Sequence, residues 1–450
     1  MPTIRPLPAL LCALLLSGCA PAPLVATAPA EAAPLATPCP KDLAAGVRCL
    51  SGKDSAGAHY LIAMPPGWNG HLVLHAHGGP LLGAPTAERA VADLERWAIV
   101  VQAGYAWAGS TFRQGGVEVR AAAEDTERLR QIFVAHVAKP KRTILHGQSW
   151  GAGVAAKGAE MVTRGADGRP PYDAVLLTSG VLAGGSRSYD FRLDLRVVYQ
   201  YLCGNHPRPD EPAYPLWMGL PADSTMNQAQ LAVRTRECLG LGLPAAQRSV
   251  EQARKLRTIV DVIRIPESSV QGHLNWATFH FRDIAQHRSG GRSVFGNTGA
   301  VYQGSADDAA LNAAVLRYRA DAQAVARFAA DTDPTGGIRV PVLGAHAVHD
   351  PIAFVEMEHS FRQTMAAAGN ADRLVQVYTD DREHSYLSHP LYPALLEALL
   401  AWVEQGRKPE PAQIAQRCEA LQARFGPGCR VLPGYQPAPM ESRVAPRQRP

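Results

Sequence analysis

The sequence has no basic stripe and no interleaving of aromatic with basic residues, and its net charge of +5 is small for 450 residues. That argues against nucleic acid as a partner. It has no Walker-type or Rossmann glycine pattern of useful length, so no nucleotide cofactor is implied. None of its cysteines stands in a close C-x-x-C pair with matching histidines, so no metal site is indicated. Past the N-terminal segment no stretch is long and apolar enough to span a bilayer, and no internal repeat is found. What remains is a globular chain long enough to bury a large core, as one enlarged domain or two.

The N-terminus reads as a targeting segment. Arg5 is followed by an apolar run from Leu7 to Leu16, too short for a mature membrane span. It ends in Leu16-Ser17-Gly18-Cys19, which resembles the lipobox of bacterial lipoproteins. The resemblance implies a signal peptide over 1–18, cleavage before Cys19 and lipidation of its thiol. Ala20, where an Asp would imply the inner membrane, implies the outer one; the lipid would be the chain's one membrane attachment. A plain secretory signal, cleaved at a small residue nearby, is the alternative. The Ala/Pro-rich 19–38 reads as a tether, and the Pro/Arg-rich 433–450 as a disordered tail.

Setting aside Cys12 and Cys19 leaves Cys39, Cys49, Cys203, Cys238, Cys418 and Cys429, an even set that in an exported chain implies disulfides. Sequence does not fix the connectivity of six. Pairing of neighbours (Cys39–Cys49, Cys203–Cys238, Cys418–Cys429) is the expectation, because each pair brackets a loop-like segment.

The body of the chain alternates buried-type strands with helical patterns. Strands are expected at Tyr60 to Met64, His71 to His77, Tyr105 to Ser110, Thr143 onward and Asp173 to Gly180, with helices over Ala87 to Ala103, Val119 to Ala138 and after Ser149. The rhythm breaks over 184–336, where helical patterns such as Leu193 to Leu202 and Ala309 to Ala330 replace strands. It resumes with strands at Val340 to Ala347 and Leu374 to Thr379 and a closing helix from Leu391 to Gln405. This predicts an α/β fold: a mostly parallel sheet with helices on both faces, made from 39–183 and 337–432, with 184–336 inserted as a helical lid.

Within that frame, Gly147-Gln148-Ser149-Trp150-Gly151 joins a strand to an Ala-rich helix. A serine at such an apex sits in strained backbone, and the flanking glycines remove side chains that would collide with neighbouring chain. Its hydroxyl would lie at a helix N-terminus, where free N–H groups stabilise an oxyanion. Ser149 needs a base, and His384 follows the last strand by a short loop. The base needs a carboxylate, and Asp350 lies just past the preceding strand, with Pro351 disfavouring helix there. Rivals in the same loops are His349, His389, Asp380 and Asp381. Trp150 N–H is the expected first oxyanion donor, and Gly79 or Gly78, in His77-Gly78-Gly79-Pro80, the second. His75 and His77 read as packing or hydrogen-bonding residues, and the aromatics of Gly272 to His280 as core more than substrate contacts.

The order Ser, Asp, His past successive strand ends resembles the α/β-hydrolase superfamily over about Tyr60 to Gln405. Pro65-Pro66-Gly67-Trp68-Asn69-Gly70, the Gly147 elbow, Val301-Tyr302-Gln303-Gly304-Ser305, Leu311-Asn312-Ala313 and Gly337-Ile338-Arg339-Val340-Pro341-Val342-Leu343 resemble secreted bacterial esterase-like enzymes. His77-Gly78-Gly79-Pro80 and Ser149-Trp150-Gly151 are similar to proline iminopeptidases and prolyl-oligopeptidase-like enzymes, although Leu81 stands where iminopeptidases carry a glycine. The resemblance implies a serine hydrolase for a small-molecule or peptide substrate, needing neither cofactor nor metal, with an ester favoured over a peptide. An aminopeptidase would need lid acids for a free amino terminus, and Glu267, Asp307 and Asp308 are available. A hydrolase-shaped binding protein with a dead site ranks last. Oligomeric state is not legible.

Overall fold

The computed structural model describes residues 31–41, 43–165 and 168–450. Its strands are β1 (Leu35–Thr37), β2 (Arg48–Lys53), β3 (His59–Met64), β4 (His71–Ala76), β5 (Ala106–Ser110), β6 (Arg142–Gln148), β7 (Ala174–Thr178), β8 (Val342–Ala347) and β9 (Leu374–Thr379). They form one sheet in the order β1-β2-β3-β5-β4-β6-β7-β8-β9. The pairs β1/β2, β2/β3 and β3/β5 are antiparallel, and every pair from β5 across to β9 is parallel.

Successive residues of the central strands enter two different cores, which is why these strands read as continuous apolar runs. Ile144 joins Trp97, Leu176 and Leu395 on one face, under helices Ala87–Arg96, Leu391–Gln405 and Pro411–Phe425. Leu145 joins Phe133, Ala152 and Phe361 on the other, under helices Val119–His136, Trp150–Met161 and Glu356–Ala367. An antiparallel N-terminal edge, the β5/β4 crossover and parallel pairing to β9 make this the α/β-hydrolase fold.

Between β7 and β8 the chain builds a helical layer with its own core, in which Phe191, Leu195, Leu231, Ile259, Leu274, Phe281 and Phe295 are buried. Its main helices are Asp190–Cys203, Gln228–Leu239, Val250–Ile263 and Glu267–Asn275, the last running into π-helical turns at Trp276–His280 and Ile284–Arg288. Disulfides join Cys39 to Cys49, Cys203 to Cys238 and Cys418 to Cys429. Three bridges mark a chain that folds in an oxidising compartment. Among the described residues no helix is long and apolar enough to cross a membrane.

Several expectations are corrected. The tail 433–450 is not disordered: Met440 and Val444 are buried, and Arg447 lies 2.6 Å from Asp194 with both groups enclosed. Composition misled because the tail's arginines find buried acids on the lid. The tether reading of 19–38 fails at Leu35–Thr37, which pairs with β2 as an edge strand. The signal segment 1–18, Cys19 and residues 20–30 lie outside the described residues. The single helix expected over Ala309 to Ala330 is two, Asp308–Ala314 and Ala322–Thr332. Between them the Tyr318 carbonyl accepts from the Asn297 N–H, and the Tyr318 N–H donates to the Asn297 side-chain Oδ1, which hold this segment out of a helix. The helix expected over Ala87 to Ala103 likewise breaks at Trp97, whose ring is fully buried. Strand β2 and helix Pro411–Phe425 were not foreseen.

Arg447 ties the tail to the lid through Asp190 and Asp194 in a buried cluster. Removing one partner of a buried ion pair costs about 3–5 kcal/mol. Arg447→Ala is therefore expected to lower unfolding stability by about that amount, with urea denaturation as the measurement; a loss below about 1 kcal/mol would contradict a structural role for the tail.

Candidate active site

β6 ends at Gln148, helix Trp150–Met161 begins two residues on, and Ser149 forms the turn between them at φ 57° and ψ −123°. Such backbone costs a non-glycine residue about 1–3 kcal/mol and persists only where its surroundings enforce it. A Cβ at Gly147 would lie 2.1 Å from the Gly151 carbonyl oxygen, and one at Gly151 would lie 2.1 Å from that of Ala76 and 2.4 Å from that of His77. These neighbours are backbone and cannot swing aside. The Ser149 N–H donates to the Thr178 carbonyl at 2.9 Å, and its own carbonyl accepts from Val181 N–H at 3.0 Å.

Two further side chains reach the apex from the strand ends of β8 and β9. The Ser149 hydroxyl donates to His384 Nε2 at 2.8 Å, and His384 Nδ1–H donates to Asp350 Oδ2 at 2.8 Å and Oδ1 at 3.0 Å. Asp350 Oδ1 also accepts from the Ile352 and Ala353 N–H groups at 2.8 and 2.9 Å. Burial disfavours charge on this enclosed carboxylate, but His384 and His346 outweigh it and hold its pKa well below the usual range. Asp350 is thus a fixed acceptor that sets His384 with its proton on Nδ1 and its lone pair toward Ser149.

His346 was not among the residues the sequence singled out. Fully buried in β8, it donates from Nδ1 to Glu358 Oε1 at 3.0 Å and from Nε2 to the Ala353 carbonyl at 2.8 Å, with Asp350 Oδ2 3.5 Å from Nε2. Both ring nitrogens face acceptors, so the ring carries two protons. Burial opposes that charge, but bonds to Asp350 and Glu358 push the pKa up to about 10. A histidine inside an apolar strand, four residues before Asp350, was the available signal, because a buried ionisable group has to be paired.

The residues expected to supply oxyanion donors are Trp150, Gly78 and Gly79. Trp150 opens its helix, so its N–H has no acceptor within the helix. Gly78 is pressed against Gln148, since a Cβ there would lie 2.1 Å from Gln148 Oε1. Gly79 has φ 69° and open space where a Cβ would stand.

The rivals lie elsewhere. His349 and Asp380 form an exposed pair at 3.3 Å, Asp381 binds Arg430 at 2.8 Å, and His389 contacts the Tyr386 hydroxyl at 2.6 Å. His75 bonds His146 at 3.0 Å, and His77 stacks on Phe112. In the lid, Glu267 pairs with Arg248, Asp307 caps helix Asp308–Ala314, and Asp308 accepts from Ser305.

No protein-family model matches the chain, and no curated protein matches it by sequence. Among solved structures it is similar to an esterase from Aspergillus oryzae (13% identity, 81% of each chain, TM-score 0.45). It is also similar to feruloyl esterase B from Aspergillus oryzae (12% identity, 81% of this chain and 82% of that one, TM-score 0.42). A third is a Mycobacterium tuberculosis puromycin-hydrolyzing peptidase (13% identity, 80% of this chain but 39% of that one, TM-score 0.39). Likeness at this level carries no assignment of activity, which has to come from the residues themselves.

The His346 charge has a testable sign. Its folded pKa of about 10 exceeds the unfolded value of 6.5, so its stabilisation is complete below about pH 6.5 and is lost as pH rises to about 10. Replacing His346 by Asn removes this dependence. Urea unfolding of both proteins at about pH 6 and about pH 9.5 should show the wild type losing stability relative to His346→Asn. Equal pH slopes would mean that His346 is neutral in the folded chain.

Proposed function

We propose that this chain is an exported serine hydrolase that cleaves carboxylic esters through an acyl-enzyme. The observation that carries the reading is the unbroken hydrogen-bonded series from the Ser149 hydroxyl through His384 to the buried Asp350, at a serine held in left-handed backbone. In the reaction, Ser149 Oγ attacks the ester carbonyl carbon while His384 Nε2 takes its proton. The carbonyl oxygen becomes an oxyanion facing the N–H groups of Trp150 and of Gly79 or Gly78. Collapse breaks the bond to the alcohol oxygen, which receives the proton from His384. A water then repeats the sequence on the acyl-enzyme, His384 taking its proton and returning it to Ser149. Asp350 stays ionised throughout and stabilises the transient imidazolium.

The ester reading is favoured over an aminopeptidase by the fate of the lid acids. Glu267, Asp307 and Asp308 are spent on an arginine, a helix cap and a turn. The lipobox resemblance adds the proposal that Cys19 carries a lipid anchoring the chain at the outer membrane.

Ser149→Ala is expected to abolish fluorophosphonate labelling and to lower p-nitrophenyl ester turnover by about 10⁴-fold or more, and Asp350→Asn should cost about 10⁴-fold. Labelling that persists in Ser149→Ala would end the proposal, and amide turnover far above ester turnover would move it to a peptidase.

A further inference from the structure

Helix Asp190–Cys203 of the lid opens with a cation that has no anion. Arg192 is 5% exposed, and its guanidinium carbon lies 4.3 Å from the Trp276 ring centre, 4.9 Å from that of Phe191 and 5.0 Å from that of Tyr189. Among the described residues no carboxylate lies within ion-pair distance of it. Its one hydrogen bond is a long one, from Nε to His273 Nδ1 at 3.4 Å. The other enclosed arginines of the same layer are better served. Arg447 has Asp190 and Asp194, and Arg196 has the Thr278 hydroxyl at 3.0 Å with the Tyr214 hydroxyl and Gly219 carbonyl at 3.5 Å. Ring faces attract the guanidinium charge but leave its remaining N–H donors unmet.

Two contacts tie this aromatic cage to the sheet domain. His273, which accepts from Arg192, donates from Nε2 to the Pro351 carbonyl at 2.9 Å, next in sequence to Asp350. Trp276, stacked on the guanidinium, also stacks on His280 at 4.8 Å and 5°. His280 in turn donates to the Pro80 carbonyl at 2.8 Å, next in sequence to Gly79. The arginine is therefore linked through one imidazole to the loop that carries Asp350 and, by way of Trp276, through another to the turn that carries Gly79.

We infer that Arg192 anchors a carboxylate on the substrate, so that the esters this site takes carry a free carboxylate in either the acyl or the alcohol part. The inference rests on the serine-hydrolase reading and specifies its substrate class. The guanidinium fork matches a carboxylate in a bidentate pair, and apolar ring walls around it strengthen that attraction. Burial brings the Arg192 pKa down only to about 10, so it is charged at neutral pH. Burial also lowers His273 to about 3 and His280 to about 4, leaving both neutral. The acids nearest in sequence, Asp190 and Asp194, are matched by Arg447 and Arg449. The cage thus holds an uncancelled positive charge that a carboxylate would neutralise.

The test compares kcat/KM for ester pairs that differ in one carboxylate. The acyl arm sets mono-p-nitrophenyl adipate against p-nitrophenyl hexanoate, and the alcohol arm sets 4-carboxyphenyl butyrate against 4-carbamoylphenyl butyrate. In one arm the wild type should favour the acid by about ten- to hundred-fold. That ratio should collapse toward unity in Arg192→Gln and be partly restored in Arg192→Lys. Equal turnover within both pairs for the wild type overturns the inference whether or not the variants fold, and so does an unchanged ratio in Arg192→Gln. Fluorophosphonate labelling separates the two failures. A wild type that is not labelled at Ser149 defeats the hydrolase reading itself, whereas a labelled wild type without a carboxylate preference defeats only the role of Arg192.

Discussion

The cleft depends on two side chains being absent. Ser149 keeps its left-handed backbone because Gly147, Gly151 and the Ala76–His77 carbonyls approach more closely than any Cβ would allow. That approach draws the end of β4 onto the start of the helix Trp150–Met161. The same crowding brings the Gly78-Gly79 turn beside the serine, with Gly78 against Gln148. One steric constraint therefore fixes both the hydroxyl and the path of the Gly78-Gly79 turn. The packing of β4 against β6 through the His75/His146 register, backed by Trp97, supplies the rigidity that sustains the strain.

Charge in the cleft is arranged in sequence from the sheet outward. Glu358 and Asp350 would repel each other, and His346 between them resolves this by holding two protons. Asp350 is left anionic toward His384, whose Nε2 lone pair meets Ser149. Above them the lid presents neutral imidazoles at His273 and His280, then the cation Arg192. In the proposed reaction the imidazolium formed on His384 is stabilised from the Asp350 side. A cation on His273 would oppose it, and burial keeps His273 neutral.

The sheet was legible in the sequence because strands buried on both faces leave unbroken apolar runs, as at Leu72 to Ala76 and Val175 to Leu177. The three cleft residues were legible because each follows such a run. β2 was not, since Arg48–Lys53 is a polar, glycine-containing strand near the sheet edge whose pairing partners supply what its composition does not. His346 was hidden for the opposite reason: it lies within an apolar strand and passes as core. The lid and tail were least legible. Their helices are set by long-range partners, such as Asn297 holding Tyr318 and Asp194 holding Arg447. A local window sees neither.

The lid is bound to the sheet domain at many points around its rim. Asp331 accepts from the Val119 and Arg120 N–H groups at 3.0 Å, Lys157 reaches the Asp333 carbonyl at 2.5 Å, and Arg288 binds the Gly115 carbonyl at 2.8 Å. The tail adds further contacts to the lid. Just before it, Val431 pairs with Thr379 at the end of β9, and the tail then crosses to Asp190 and Asp194 at the start of the helix that carries Arg192. A buried cation with unmet donors is costly in any flexible setting, because the chain would relax to let water reach it. Here that relaxation would have to break the tail's ion pairs and the two imidazole bridges to Pro80 and Pro351 together. Holding Arg192 in place is thus a property of the lid and the tail together, and a ligand that met its free donors would find the guanidinium already ordered.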